Sequence, residues 1–232
     1  MIEVQELRDC LMKILMTCEQ GKSEVKQVMI DVCDVMEEYK ELIRCCPEQV
    51  SRTEYQDLYR SFYVVGRMTA AMSDKSSSVW GGYFDLLREQ KLSKRPFKEV
   101  LEDVCCLTRR REKVFCTKLM ATADPHEPVI DRNVCDALKI DEKELLRDWP
   151  NGCCQVYDAV RTLYRNFLAS EDSAAWIKKF DAIFPSLSGL TPEKKIDVLL
   201  WQKQALLMGL VGKKRISRHG ARLVALRNLK GE

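Results

Sequence analysis

The sequence lacks several features that would assign it quickly to a class of protein. No apolar run approaches the roughly 20 residues of a membrane-spanning helix. No Cys-x-x-Cys pair occurs, and no histidine is spaced to complete a zinc site. The first residues carry acids among apolar positions and no small-residue cleavage site, unlike a signal peptide. These absences predict a cytoplasmic protein with no membrane partner, no metal and no cofactor.

The composition is that of an ordinary globular protein, with 46% hydrophobic and 31% charged residues in 232 positions. A chain of this size can bury a substantial core, as one domain or as two closely packed lobes. Its eleven cysteines include adjacent pairs at 45–46, 105–106 and 153–154. Neighbouring side chains on a helix point to different faces, so these pairs would form poor chelates and strained disulfides. We expect reduced cysteines that pack as small hydrophobic residues.

Apolar residues recur at steps of three and four positions almost throughout, which predicts an all-α fold. Gly21 is predicted to end the first helix, and Thr191 followed by Pro192 to begin a late one. Aromatic residues over 80–84 fall at helical spacing and are expected to fill the core.

The polar residues 73–78 interrupt this pattern and mark the best internal boundary. The sequence therefore predicts three regions, which are an N-terminal helical region over 1–75, a helical domain over 76–212 and a basic tail over 213–232.

Positive charge is concentrated in two places. Residues 213–232 contain seven lysines or arginines against one acid, and Arg109, Arg110, Arg111 and Lys113 form a second cluster. Such clusters either neutralise phosphates or lie as solvated surface. The net charge of +3 does not decide between these interpretations.

Residues 109–138 carry the pattern most suggestive of a reaction site. The segment 124–128, Asp-Pro-His-Glu-Pro, predicts a tight polar turn, and Asp131 then follows two apolar residues just before a helix. An acid there is favourably placed against the positive end of the helix dipole. From the residues alone, Asp131 is either an N-cap or a catalytic carboxylate.

The segment PVIDRNVCDAL, residues 128–138, resembles the part of helix-hairpin-helix DNA glycosylases in which a short apolar run ends in the essential aspartate. The resemblance implies a two-lobed helical fold, DNA as partner, base excision repair as activity and Asp131 as the catalytic acid. Counting back without a gap, Lys113 falls where bifunctional members carry their nucleophilic lysine.

The Gly-x-Gly turn of that family's hairpin has no counterpart here, because Arg109, Arg110 and Arg111 stand in its place. A turn that needs positive φ strains an arginine, so the hairpin is expected to be degenerate or absent. The arginine side chains could instead bind phosphate electrostatically.

A second register of the resemblance rests on VFCTKLMATADPHEPVIDRNV, which is similar to a motif of uncharacterised bacterial proteins of glycosylase-like fold. Those proteins also carry a late segment like PEKKIDVLLWQ, residues 192–202. In this register Lys118, and not Lys113, is the characteristic lysine, and we expect Lys118 to contact nucleic acid. The two registers together span about residues 78–202.

Two functions from different classes follow. The first is a divergent DNA glycosylase that excises damaged bases with Asp131, in which either water or Lys113 is the nucleophile. The alternative is a non-catalytic helical module that binds nucleic acid or a protein partner. The missing hairpin glycines favour the module, whereas Asp131 favours the enzyme. The sequence defines neither the substrate base nor the oligomeric state.

Overall fold

The computed structural model describes residues 1–21, 23–63 and 78–208, and all regular structure in these ranges is helical. Two short 3-10 helices cover Pro47–Gln49 and Pro185–Leu187. Across the described ranges, no helix combines the length and apolar character needed to cross a bilayer. The α-helices are α1 (Val4–Gln20), α2 (Ser23–Arg44), α3 (Thr53–Phe62), α4 (Ser78–Ser93), α5 (Phe97–Thr108), α6 (Lys113–Ala123), α7 (Arg132–Ala137), α8 (Glu142–Arg147), α9 (Asn151–Leu168), α10 (Ser173–Ile183) and α11 (Pro192–Met208).

The helix ends predicted at Gly21 and Thr191 are confirmed. Gly21 has φ 61° and its N–H donates to the carbonyl of Cys18 at 3.2 Å, a left-handed cap that glycine adopts without a Cβ penalty. The Thr191 hydroxyl accepts from the backbone N–H of Lys194 at 3.3 Å and so caps α11.

Helix α11 lies at the centre of the fold and packs against α1, α2, α7, α9 and α10. One cluster of buried hydrophobic residues extends from Ile2 to Leu206, so the N-terminal helices share a core with the later ones. The predicted boundary at 75–76 and the basic tail over 213–232 lie outside the described residues. The division into three regions therefore stays a prediction.

Helices α4, α5 and α6 pack against one another around an aromatic cluster. Trp80 and Phe84 stack with their ring centroids 5.6 Å apart, and the Tyr59 and Tyr83 hydroxyls lie 2.6 Å apart. A Cβ at Gly82 would lie only 2.7 Å from the side chain of Leu107, so glycine permits the close approach of α4 and α5. The aromatic residues of α4 thus fill the core, as their spacing predicts.

All eleven cysteines are free thiols. Cys18, Cys116, Cys135 and Cys153 are buried, and burial raises the pKa of Cys18 and of Cys153 to about 12. These thiols are protonated at neutral pH and pack as small apolar groups. Five others are partly buried, but two are exposed, so the expectation of buried cysteines was wrong for Cys46 and Cys106.

Candidate functional site

A partly open cleft of about 880 Å³ lies between α2, α6, α7 and α11. Ligand pockets commonly enclose about 300–1,000 Å³, so the cleft is large enough for a small organic group. Its wall includes four aromatic side chains from α2, α11 and the end of α3, namely Tyr39, Phe62, Tyr63 and Trp201. Tyr39, Phe62 and Tyr63 are buried and Trp201 is partly exposed, so the Trp201 indole is the flat, apolar surface among them that suits a ligand with a planar ring.

Asp131 is the N-cap of α7 and also lines the cleft. Its backbone is extended, with φ −98° and ψ −179°, and its Oδ1 accepts from the N–H of Val134 at 3.1 Å. The residue is half-buried. The capping role is thereby confirmed, and the same carboxylate is placed on the wall of a cavity.

The extended segment before Asp131 is held by buried side chains from two helices. The N–H of Val129 donates to Asp197 Oδ2 on α11 at 3.1 Å, and the N–H of Ile130 donates to Thr117 Oγ1 on α6 at 3.2 Å. Successive residues of an extended chain direct their backbone groups to opposite sides, so two neighbouring helices satisfy them.

Asp197 belongs to a buried polar network at the base of the cleft. Its Oδ1 accepts from the Tyr164 hydroxyl at 2.9 Å, and its Oδ2 accepts from Lys194 Nζ at 2.6 Å. Burial raises the pKa of Asp197, and the ammonium of Lys194 partly opposes that shift. Lys194 Nζ also lies 5.2 Å from the ring centroid of Tyr39, whose own pKa is raised by burial and, secondarily, by the Asp197 charge.

The polar turn predicted over 124–128 is present and is fastened to the start of α11. The Thr191 hydroxyl donates to the carbonyl of Pro125 at 2.7 Å, and His126 Nδ1 lies 3.0 Å from Glu193 Oε2. His126 is exposed, as expected for a surface residue.

Of the two candidate lysines, Lys118 lines the cleft and Lys113 is not among its described lining residues. Lys118 Nζ donates to the carbonyl of Tyr63 at 3.2 Å and lies 5.1 Å from that ring's centroid. Val114, one helical turn before Lys118, lines the same wall. The charge of Lys113 instead acts on Cys153, where it opposes the effect of burial on the thiol pKa.

The arginine cluster forms the turn between α5 and α6. Helix α5 ends at Thr108 with Arg109 as its C-cap, at φ 54° and ψ 33°, and α6 begins at Lys113. Arg109, Arg110 and Arg111 are all exposed, and the Arg111 guanidinium lies 5.9 Å from the ring centroid of Trp149. Two packed helices are thus joined by a four-residue turn, and an arginine adopts the left-handed conformation in it.

No family model, curated protein or solved structure matches this chain. Function is therefore inferred from the site itself.

The charges of the cleft are balanced among the described residues. Four basic and four acidic side chains line it, so the cleft as a whole offers little net attraction to a polyanion. Among the residues that the structure describes, no group of three or more His, Cys, Asp or Glu side chains is arranged to hold a metal ion. The balance of charge in the cleft suits a neutral group.

Sequence reasoning missed Thr117, Lys194 and Asp197. One signal was available, because Lys194 and Asp197 stand three residues apart on a predicted helix, a spacing that favours an ion pair. Their burial, at 3% and 4% exposure, depends on the packing of α11 in the core and has no local signature.

Proposed function

We propose that the protein is a divergent DNA glycosylase whose cleft receives a damaged base flipped out of the duplex. The observation that carries this proposal is the placement of the Asp131 carboxylate on the wall of a cleft that Lys118 and four aromatic rings also line. Enzymes that act on a base extrude it into a pocket and stack it against such side chains. The similarity of residues 128–138 to the aspartate segment of helix-hairpin-helix glycosylases points to the same residue.

In the proposed reaction, the bond between C1′ of the sugar and the base nitrogen breaks, and the base leaves with the bonding electrons. The Asp131 carboxylate stabilises the positive charge that develops on the sugar. Water then attacks C1′ and gives up a proton to Asp131, while the released base takes a proton from solvent. The products are a free base and an abasic sugar.

Water, and not Lys113, is the nucleophile in this proposal. Lys113 is not among the described residues that line the cleft, whereas Asp131 is. A nucleophile must come within hydrogen-bond reach of the reacting centre. Lys118, which lines the cleft beside Tyr63, contacts the flipped nucleotide. The free thiols suit the reducing cytoplasm that we propose as the location.

The second candidate is a module that binds nucleic acid without cleaving it. The exposed turn of Arg109, Arg110 and Arg111 favours this candidate. The positive and negative charges of the cleft are balanced, so basic residues elsewhere on the surface would have to attract the phosphate groups. Retention of duplex binding without release of any base would support this candidate.

Asp131→Asn tests the enzyme directly. Asparagine caps helices about as well as aspartate, so α7 keeps its cap while the charge is lost. Duplexes that contain uracil, hypoxanthine, oxidised guanine or alkylated adenine are incubated with each protein. We expect the wild type to release at least one of these bases. The variant should release it at least about 100-fold more slowly.

The matched control is Asp141→Asn. Asp141 is also the N-cap of a six-residue helix, α8, and its Oδ1 accepts from the N–H of Lys143 at 2.9 Å. It is not among the described residues of the cleft. We expect its rate to equal that of the wild type. Equal release by the Asp131 variant, or release by none of the proteins, would rule out a catalytic Asp131.

A further inference from the structure

Building on the proposed function, we infer that Asp197 is a positioning residue that fixes Asp131 on the wall of the cleft. It acts through the backbone, because its Oδ2 binds the N–H of Val129, two residues before Asp131. This contact connects a buried acid on α11 to the segment that precedes the proposed catalytic acid, Asp131.

The segment before Asp131 has no regular secondary structure of its own to stabilise it. It is extended, so it forms no helical hydrogen bonds until α7 begins at Arg132. Its N–H groups at Val129 and Ile130 are satisfied by Asp197 and Thr117, and both of these side chains are buried. The backbone that leads to Asp131 is therefore held by two side chains, one from the preceding helix α6 and one from α11.

The chemistry of Asp197 suits this role. One carboxylate accepts three hydrogen bonds, from Tyr164, Lys194 and the N–H of Val129. The Tyr164 and Lys194 contacts fix the orientation of the carboxylate, and the Lys194 ammonium balances its charge. An alanine at this position offers no acceptor, so it removes all three contacts.

The consequence for catalysis is geometric. A displacement of about 1 Å at a reacting group can lower a rate about 100-fold. Loss of the Asp197 contact would leave Asp131 present, but would loosen its cap on Val134 and allow the carboxylate to move relative to the cleft. In this inference the two acids have different roles, since Asp131 contacts the substrate and Asp197 holds Asp131 in position.

Two variants test the inference, and each removes one hydrogen-bond acceptor that binds the backbone of the segment. Asp197→Ala removes the acceptor of the Val129 N–H, and Thr117→Val removes the acceptor of Ile130 with little change of shape. The readouts are the global stability from urea unfolding, amide hydrogen exchange at Val134, and kcat and KM for base release. The amide of Val134 reports on Asp131 because Asp131 Oδ1 accepts its hydrogen bond.

The matched control is Asp181→Ala. Asp181 Oδ1 accepts from Lys195 Nζ at 2.6 Å, and Lys195 is buried beside Lys194 on α11. The control therefore also removes the acid partner of a buried lysine on α11, but Asp181 makes no described contact with residues 129–131.

The measured loss of global stability predicts a certain increase in the exchange rate at Val134. In both test variants we expect the observed exchange rate to exceed that predicted rate about five- to tenfold. We expect kcat to fall about 10- to 100-fold with little change in KM. In Asp181→Ala, exchange should follow global stability alone and kcat should be unchanged. If Asp197→Ala fails to fold, the double variant Lys194→Met with Asp197→Ala removes the unpaired buried charge and is measured in its place.

Exchange at Val134 that follows global stability in the Asp197 variant, as in the control, would overturn the inference. The proposed function fails separately. If exchange responds as expected but no protein releases a base from any duplex, Asp197 positions Asp131 and the glycosylase proposal is wrong.

Discussion

Arg109 adopts a backbone conformation that L-amino acids other than asparagine and aspartate seldom occupy. Its φ of 54° and ψ of 33° lie in the left-handed region, at the position after α5 where many helices have glycine. The Cβ of arginine makes this conformation less favourable by about 1–2 kcal/mol. From the sequence, such strain was the reason to expect a degenerate or absent hairpin, and the positive φ of Arg109 itself was not predicted.

Arg109→Gly should therefore stabilise the protein. Glycine reaches the left-handed region freely, so the folded state is relieved of strain, while the greater flexibility of the unfolded chain offsets part of the gain. We expect the free energy of unfolding, measured in urea, to rise by about 0.5–1 kcal/mol.

Arg110→Gly is the control for this change. Arg110 is not among the described non-glycine residues with positive φ, so glycine there brings only the entropic penalty. The free energy of unfolding should stay the same or fall. An equal rise in both variants would mean that removal of positive charge, and not relief of strain, stabilises the turn.

At the scale of helices, contacts between residues close in the sequence were predictable, and contacts between residues far apart in the sequence were not. Helix α7 and its cap were predictable because Asp131 and Val134 are three residues apart. The contact between Val129 and Asp197 joins residues 68 positions apart, and no local pattern encodes it. Periodicity likewise predicted the all-α fold, but not which helices enclose the cleft.

The turn between α5 and α6 is the element whose charge can be tested as a unit. Replacing Arg109, Arg110 and Arg111 by glutamine removes three exposed positive charges. We expect weaker binding of duplex DNA, and a plot of log affinity against log salt that is shallower by about 2 to 3. Fluorescence anisotropy over a series of salt concentrations measures both quantities.

Neutralising three exposed basic residues on other helices controls for net charge. Arg44, Arg165 and Lys178 are exposed on α2, α9 and α10. Their replacement by glutamine should leave the salt slope nearly unchanged. A similar loss in both triple variants would assign DNA affinity to overall charge and not to the turn.

For the molecule as a whole, the tyrosines determine the response to alkaline pH. All seven are buried, and burial raises the pKa of each above its ordinary value. An unfolded tyrosine ionises near pH 10. The folded protein therefore keeps protons that the unfolded chain releases, so the contribution of the tyrosines to stability is fully present below about pH 10 and is lost as the pH rises above it.

We expect the free energy of unfolding to fall above pH 10 by about 1.4 kcal/mol per pH unit for each tyrosine that stays protonated. Urea unfolding at a series of alkaline pH values measures the slope. The pKa of Lys91, which burial lowers, opposes this fall as the pH approaches 10.5, whereas the raised pKa values of the buried thiols of Cys18 and Cys153 add to it from about pH 8.5.

Tyr59→Phe provides the comparison, because it removes one of these ionisable groups from the core. Its slope should be shallower by about 1.4 kcal/mol per pH unit. Tyrosine absorbance should change together with unfolding. Ionisation of several tyrosines while the protein is still folded would contradict the burial that underlies this prediction.

Of the four tryptophans, Trp201 is the one on the wall of the cleft. Trp80 and Trp176 are buried in the core, and Trp149 lies beneath Arg111. An aromatic ligand that stacks on the Trp201 indole would quench its emission, while the two core indoles would keep theirs. The intrinsic fluorescence of the unlabelled protein would therefore report occupancy of the cleft, even for a ligand that is never converted to product.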